Sequence, residues 1–334
     1  MLFLIMSTLV FGQDALNINF INYGQIKTQS PQMKITCNEP LKKIDVQLKC
    51  GASKFALQRE ALSKGSEHVI NLTIPVGKRT CNGRMKVIFT DDNEGELPLS
   101  FPIEMLDALK INVDKSQVDL AGKTLVASAS RGISTYEISA INANGKLIGQ
   151  GQVNANGNHR QQNIQWNGAS EDIAILRIKA TDMHTYWSAV DLLPWNYNIP
   201  HEDVIFESNK WHIRDSETPK LTAVKKEVDK IFEKYASIAK ANLYVAGYTD
   251  TVGNASSNLS LSHKRAKAIA TWFQNAGFKG NIYYQGFGEK ALAVATKDNV
   301  DEPRNRRALY VVAAEAPAIS ADLPSKNWKK LTVR

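Results

Sequence analysis

Cysteine is scarce in this chain, with three residues in 334, and none of them sits in a C-x-x-C pair. The six histidines (His68, His159, His184, His201, His212, His263) are scattered and show no H-E-x-x-H spacing. The ligand sets that mark zinc sites are therefore missing, and no metal or cofactor is expected. Residues 16–200 also lack a recognisable nucleophile–base pair, which speaks against an enzyme. The apolar run Leu2–Phe11 falls well short of the 18 or so residues that cross a bilayer. The first hundred residues hold no tryptophan. Their apolar runs are mostly shorter than the roughly 9–11 residues of a membrane-barrel strand and lack paired aromatic belts, so soluble sandwiches are favoured over an eight-stranded barrel.

The same apolar run, followed by Gly12, Gln13 and Asp14, looks like a short secretory signal over residues 1–12. No Lys or Arg precedes it, and the first cysteine after it is Cys37, so no lipid anchor is expected. Cys37, Cys50 and Cys81 allow one internal disulfide at most, and export would permit it; the three pairings stay open. The formal net charge of +8 is spread along the chain. It suits an anionic polymer, lipid headgroups or plain solubility as well as nucleic acid, so no nucleic acid partner is inferred.

Short alternating runs fill the first part: Lys34–Cys37, Ile44–Lys49, His68–Val76, Met85–Thr90 and Leu97–Ile103. Turn residues separate them, which predicts a β-sandwich domain over 16–105. A second set, from Lys110–Val113 to Trp187–Leu192, predicts a second β-sandwich over 106–195, with Asn144-Gly145 as a hairpin turn. Leu193–Glu202 carries two prolines and reads as a structured connector.

From residue 203 the periods change. Val204–Glu207, Leu243–Tyr248, Ile282–Gln285 and Ala308–Ala313 read as strands, and Thr218–Tyr235 alternates apolar and charged residues at helical period. A second helix carries Leu261, Ala268, Ile269 and Trp272 and stops at Gly277, with Asn258 or the serines before it as cap. Strands alternating with long helices imply an α/β sandwich over 203–314. From 315 to 334 the chain reads as a flexible basic tail.

The stretch Gly247–Phe273 carries most of the chemistry. It sets Asp250 in a glycine-bearing turn and Arg265 on the helix, where Asn258, Leu261 and Arg265 share one face. The helix start favours an anionic group in the loop before it. One acid and one base held apart on a frame suit a ligand with both an ammonium and a carboxylate. Without a wider pattern, an Asp250–Arg265 ion pair that fixes the turn is the simpler reading, and Thr249 serves equally as a turn-former.

There is a wider pattern. Thr249, Asp250 and Gly253 are followed by Asn258, Leu261, Ser262, Arg265 and Ala266, then Gly286 and Gly288, then Asn305, Arg306 and Arg307. In order and spacing this resembles the signature of the OmpA C-terminal-like family, over about residues 203–314. The resemblance implies a peptidoglycan-binding domain in which Asp250 takes the ammonium, and Arg265 the carboxylate, of meso-diaminopimelate in the stem peptide. Thr249, Asn258, Leu261, Asn305 and Arg306 would line the pocket, while Arg304 and Arg307 read better as a solvated rim. Tyr248 stands where many relatives carry His.

The expectation is then a multidomain, non-enzymatic protein of the periplasm or outer membrane of a Gram-negative-type envelope. Its all-β domains precede the α/β wall-binding domain and meet other envelope proteins. A cell-wall hydrolase or amidase targeted by this domain, and an outer-membrane β-barrel with a wall-binding tail, are the alternatives.

Overall fold

A computed structural model describes residues 15–207 and 209–332. The expected signal segment 1–12 lies outside the described residues. The chain divides into two compact units, one of residues up to 110 with 181–187, the other of 111–180 with 188 onwards.

In the first unit, strands Leu16–Ile21, Gln32–Cys37 and Glu67–Asn71 form a three-stranded sheet. A five-stranded sheet holds Tyr23–Gln25, then β1 (Leu41–Cys50), β2 (Ser53–Leu62), β3 (Gly77–Phe89) and β4 (Glu94–Leu106), in the spatial order Tyr23–Gln25, β4, β3, β1, β2. Alternate residues of both sheets enter one core: Met33 and Ile35 from the first, Ile44, Val46, Leu48, Met85 and Phe101 from the second. One face buried and one wet is the period-2 logic of an antiparallel sandwich. These strands run to 10 and 13 residues, longer than the apolar runs suggested, because the polar residues at their ends pair as well. Strand length is thus no argument against a barrel; the strands do lie in open sheets with a shared core. Cys50 and Cys81 face each other across β1 and β3 and form the disulfide, leaving Cys37 free and buried.

The second unit opens with a three-stranded sheet, Gln162–Gln165, Thr124–Ala129 and Ile111–Val113. A further five-stranded sheet is built on Ile133–Ile141 and Leu147–Asn158. Asn142–Lys146 turns between these last two, with Gly145 at a positive φ of 75° that its lack of a Cβ permits.

The α/β part follows. It contains β5 (Asn196–Asn198), α1 (Thr218–Tyr235), β6 (Asn242–Tyr248), α2 (Ala255–Asn275), β7 (Asn281–Gly288), β8 (Ala308–Ala313) and β9 (Lys329–Lys330). The sheet order is β5-β8-β6-β7-β9, with β6 and β7 parallel. Leu221, Val224 and Val228 of α1 and Ala266, Ile269, Ala270 and Phe273 of α2 bury their stripes against Leu243, Val245, Tyr310 and Val312. That is the two-layer α/β arrangement expected.

Two sequence expectations are corrected here. Val204–Glu207 forms no strand; β5, inside the supposed connector, takes the sheet edge beside β8, while Val204 only fills the core. Residues 315–332 are no flexible tail. Leu323 is buried, Trp328 meets Tyr244 edge-on at 5.2 Å, and β9 pairs with Tyr283 and Tyr284. The second face of the sheet carries Tyr244, Tyr248 and Phe287, and apolar surface of that size draws the following chain over it.

Candidate functional site

The site is set by how closely α2 approaches the sheet. Gly247 and Gly286 are register partners on the parallel strands β6 and β7. A Cβ on Gly247 would lie 2.5 Å from the Ser262 carbonyl oxygen, and one on Gly286 would lie 2.2 Å from the His263 nitrogen. Only a residue without a side chain admits the helix at that distance. Ser262 Oγ, wholly buried, then accepts from the Gly288 amide at 2.9 Å and ties the helix to the end of β7.

The helix is capped by Asn254, whose side chain accepts from the Ser257 amide at 2.8 Å, rather than by Asn258. Asn258 therefore lies within the first turn of α2, 5% exposed. Its Nδ2 donates to the Asp250 carbonyl at 3.3 Å and to Glu289 at 2.7 Å. It stitches the Asp250 turn to the segment after β7.

Asp250 is 7% exposed. Its Oδ2 accepts from Arg306 Nη1 at 2.6 Å, and the same guanidinium also reaches Asp301. Burial works against the charge on Arg306, but its bonds to Asp250 and Asp301 outweigh this and raise its pKa. Arg265, from the middle of α2, is 5% exposed. Nε donates to the Lys210 carbonyl at 3.1 Å and Nη2 to the Glu207 carbonyl at 3.3 Å, with the Phe206 ring 5.0 Å away. Burial lowers its pKa; the field of Asp250 opposes that and Arg306 reinforces it. Asp250, Arg265 and Arg306 therefore feel one another, but the direct ion pair is Asp250–Arg306.

The remaining candidates divide. Thr249 is 2% exposed, its amide donates to the Gly288 carbonyl, and its hydroxyl has no hydrogen-bond partner. Leu261 is half-buried on α2. Asn305, 1% exposed, spends its amide on Val294, donating to the carbonyl and accepting from the N–H, each at 2.9 Å. It holds the loop after β7 in place. Arg304 is absorbed by Glu302, while Arg307 lies 4.3 Å above the Tyr248 ring and pairs with Asp322.

Glu289, Asp301 and the carbonyls of Glu207 and Lys210 escaped the sequence reading. Glu289 had a signal, as the acid directly after the G-x-G turn; the carbonyls had none. Among the described residues no group of three or more His, Cys, Asp or Glu side chains could hold a metal ion. The arrangement brings the buried carboxylate of Asp250 within hydrogen-bond distance of one base, Arg306, and into the field of a second buried base, Arg265, and charge-assisted bonds are strong in such surroundings.

Comparison with known proteins bears on the same segment. Residues 206–306 match the model of the OmpA family. Over 115 residues the chain is 32% identical to outer membrane protein P5 of Haemophilus influenzae, covering 34% of this chain and 30% of that protein. The chain thus spans about 30% of the length of that relative. Among solved structures it is similar to the peptidoglycan-associated lipoprotein from Burkholderia pseudomallei (21% identity, 33% of this chain and 88% of that chain, TM-score 0.28). The cell wall anchor of the T6SS from Pseudomonas aeruginosa is another such structure (20% identity, 43% of this chain and 86% of that chain, TM-score 0.28).

Proposed function

Because residues 206–306 form an OmpA-family domain, we propose that this protein binds peptidoglycan non-covalently in a bacterial envelope, gripping the meso-diaminopimelate of the stem peptide. The observation that carries the reading is the Asp250–Arg306 ion pair lying within the field of the buried Arg265. Asp250 receives the ammonium. The carboxylate goes to Arg265, with Arg306 released from Asp250 to assist. A zwitterion inserted into the Asp250–Arg306 pair replaces one ion pair by two, so little charge is left uncompensated on binding. Arg265, held by two backbone carbonyls, is pre-oriented and loses little side-chain freedom.

Thr249, with its unsatisfied hydroxyl, and Asn258 and Leu261 line the pocket. Asn305 acts by fixing the adjoining loop. A stem ending in lysine lacks the carboxylate, leaves the arginines unpaired and binds less well. Binding of this kind needs no turnover, so the protein is no enzyme. The name of the Haemophilus relative supports a place at the outer membrane; binding to peptidoglycan puts the domain on the periplasmic side, with the β-domains available to other envelope proteins.

The test is co-sedimentation of the full chain with diaminopimelate-type and lysine-type sacculi. Wild type pellets with the former; Asp250→Ala and Arg265→Ala, checked for folding by circular dichroism, stay in the supernatant. Equal pelleting of all three would remove the assignment.

A further inference from the structure

The wet face of the long sheet in the first unit carries a groove of about 720 Å³. That is within the range of roughly 300–1,000 Å³ typical of small-molecule sites. Strand register places its side chains in rows. Across β2, β1, β3 and β4 the first row is Lys54, Lys49, Asn82 and Ser100, and the next is Ala56, Gln47, Arg84 and Pro98. All eight are exposed, while their inward neighbours Leu48, Met85 and Leu99 are core.

Lys49 and Lys54 are direct cross-strand partners, and neither has an acidic partner among the described residues. Like charges placed opposite one another weaken a sheet. The nearest acid in the lining, Glu96, is 3.8 Å from Arg84 and 3.9 Å from Lys86, so its single charge is shared between two bases. The mouth of the groove thus holds a surplus of positive charge. Beside it, Ser100 donates to Asn82 at 2.9 Å, and Gln47, whose Nε2 donates to Asp45 at 3.4 Å, leaves its amide oxygen toward the groove as an acceptor for a hydroxyl. Ala56, the cross-strand partner of Gln47, offers a small apolar patch, while Pro98 lies three strands away at the far end of that row. The Cys50–Cys81 disulfide lies next to the Lys49–Asn82 pair and clamps β1 to β3, so the row is set before any ligand arrives.

We propose that this groove binds an anionic sugar, with the phosphate or carboxylate held between Lys49, Lys54 and Arg84. The ring hydroxyls meet Gln47 and Asn82, and the C–H face of the ring lies on Ala56. Charge-assisted bonds from two ammoniums and a guanidinium hold the anion, and the amides with the Ala56 methyl discriminate a sugar from a bare ion. The proposal stands apart from the stem-peptide site and survives its failure.

The oxidised full-length protein is titrated calorimetrically with glucose 6-phosphate, glucuronate, glucose and inorganic phosphate. Saturable binding of one or both anionic sugars, weakened by added salt, is the expected result. The stronger of the two tells a phosphate source from a carboxylate source. Lys49→Ala/Lys54→Ala binds about tenfold more weakly or worse, as loss of a charge-assisted bond implies, and Lys64→Ala, on a loop outside the groove, binds as wild type. In the absence of ligand, Lys54→Gln melts higher than wild type because the repulsion is gone. Equal binding of glucose, binding of inorganic phosphate as tight as that of either sugar, no saturable heat with either sugar, unchanged affinity in the double variant, or a lower melting point for Lys54→Gln would each overturn the proposal.

Discussion

Arg306 Nη1 sits 2.6 Å from Oδ2 of Asp250, so the acid of the candidate site is paired with a base from just before β8 and not with the helical Arg265. The pair is nearly closed to water on the acid side, where the side chain is 11% exposed, and more open on the arginine side at 31%. Such a pair orients Asp250, and Asp301 holds the same guanidinium on its more open side. Arg306→Ala is expected to cost about 1 kcal/mol of stability, because Asp250 loses its direct partner but keeps the field of Arg265. It is also expected to weaken sacculus binding without abolishing it. Urea unfolding and co-sedimentation measure the two effects; a variant that binds like wild type would exclude Arg306 from the pocket.

His201 predicts a pH dependence. Nδ1 lies 2.7 Å from the Ile199 carbonyl and Nε2 lies 2.9 Å from that of Ala308, with Asp203 at 3.5 Å and the Tyr310 ring edge-on. Two acceptors facing two ring nitrogens are both satisfied only by the imidazolium. Burial opposes that charge, but Asp203 and the two carbonyls outweigh it, so the pKa stands above its ordinary value. A raised folded pKa means stability that is fully present below the unfolded value of about 6.5 and is lost as pH rises through the folded pKa. Thermal melts across this window are expected to fall with rising pH in wild type and to flatten in His201→Gln. An equal slope in the variant would assign the dependence to another group.

Gly286→Ala tests the close packing that builds the site. The new methyl would meet the His263 backbone nitrogen, which belongs to a helix and has no side chain to swing away. A loss of about 3 kcal/mol is expected, at the upper end of overpacking costs, with loss of sacculus binding as α2 is pushed outward. Urea titration gives the stability; a loss under about 0.5 kcal/mol would mean the helix does not rest on these glycines.

The Cys50–Cys81 bridge closes a sequence separation of 31 residues. Loop-closure entropy for that span is worth about 3–4 kcal/mol. Cys50→Ala/Cys81→Ala is expected to lower the unfolding free energy of the first unit by this order, and dithiothreitol to do the same to wild type. A reductant that leaves the melting profile unchanged would place the bridge outside the native structure.

Trp328→Ala asks whether the C-terminal return matters. Its ring contacts Tyr244 and Phe287 while remaining half-buried, and Tyr248 donates its hydroxyl to the Asp322 carbonyl nearby. About 2 kcal/mol is expected, below the cost of deleting a fully buried Trp. Trypsin digestion provides the second readout: cleavage after Lys326 and Lys329 accelerates in the variant. Wild-type resistance in the variant would show that Trp328 does not hold the segment down.

The helices were legible because a 3.6-residue period is a local property: Leu221, Val224 and Val228 mark the buried face of α1, whereas on α2 the period was plain but of the stripe read from it only Ile269 is buried, beside Ala266, Ala270 and Phe273. Strand β6, apolar from Leu243 to Tyr248 and ended by a turn, was equally plain. The placing of Asp250 in a turn and Arg265 on the following helix was readable for the same reason, as was the resemblance of the motif as a whole. Partner choice was not. That Asp250 takes Arg306, that Arg265 is held by the carbonyls of Glu207 and Lys210, and that Cys50 pairs with Cys81 all depend on which strands become neighbours. The edge strand β5 and the return of residues 315–332 were missed because a three- or two-residue strand has no period of its own. It forms where the sheet leaves backbone donors and apolar surface unsatisfied. Sequence by itself determined the two helices, the central strands and the charged residues on and between them; the packing of α2 on Gly247 and Gly286, a contact between positions 15 to 24 residues apart along the chain, decided which of those residues meet.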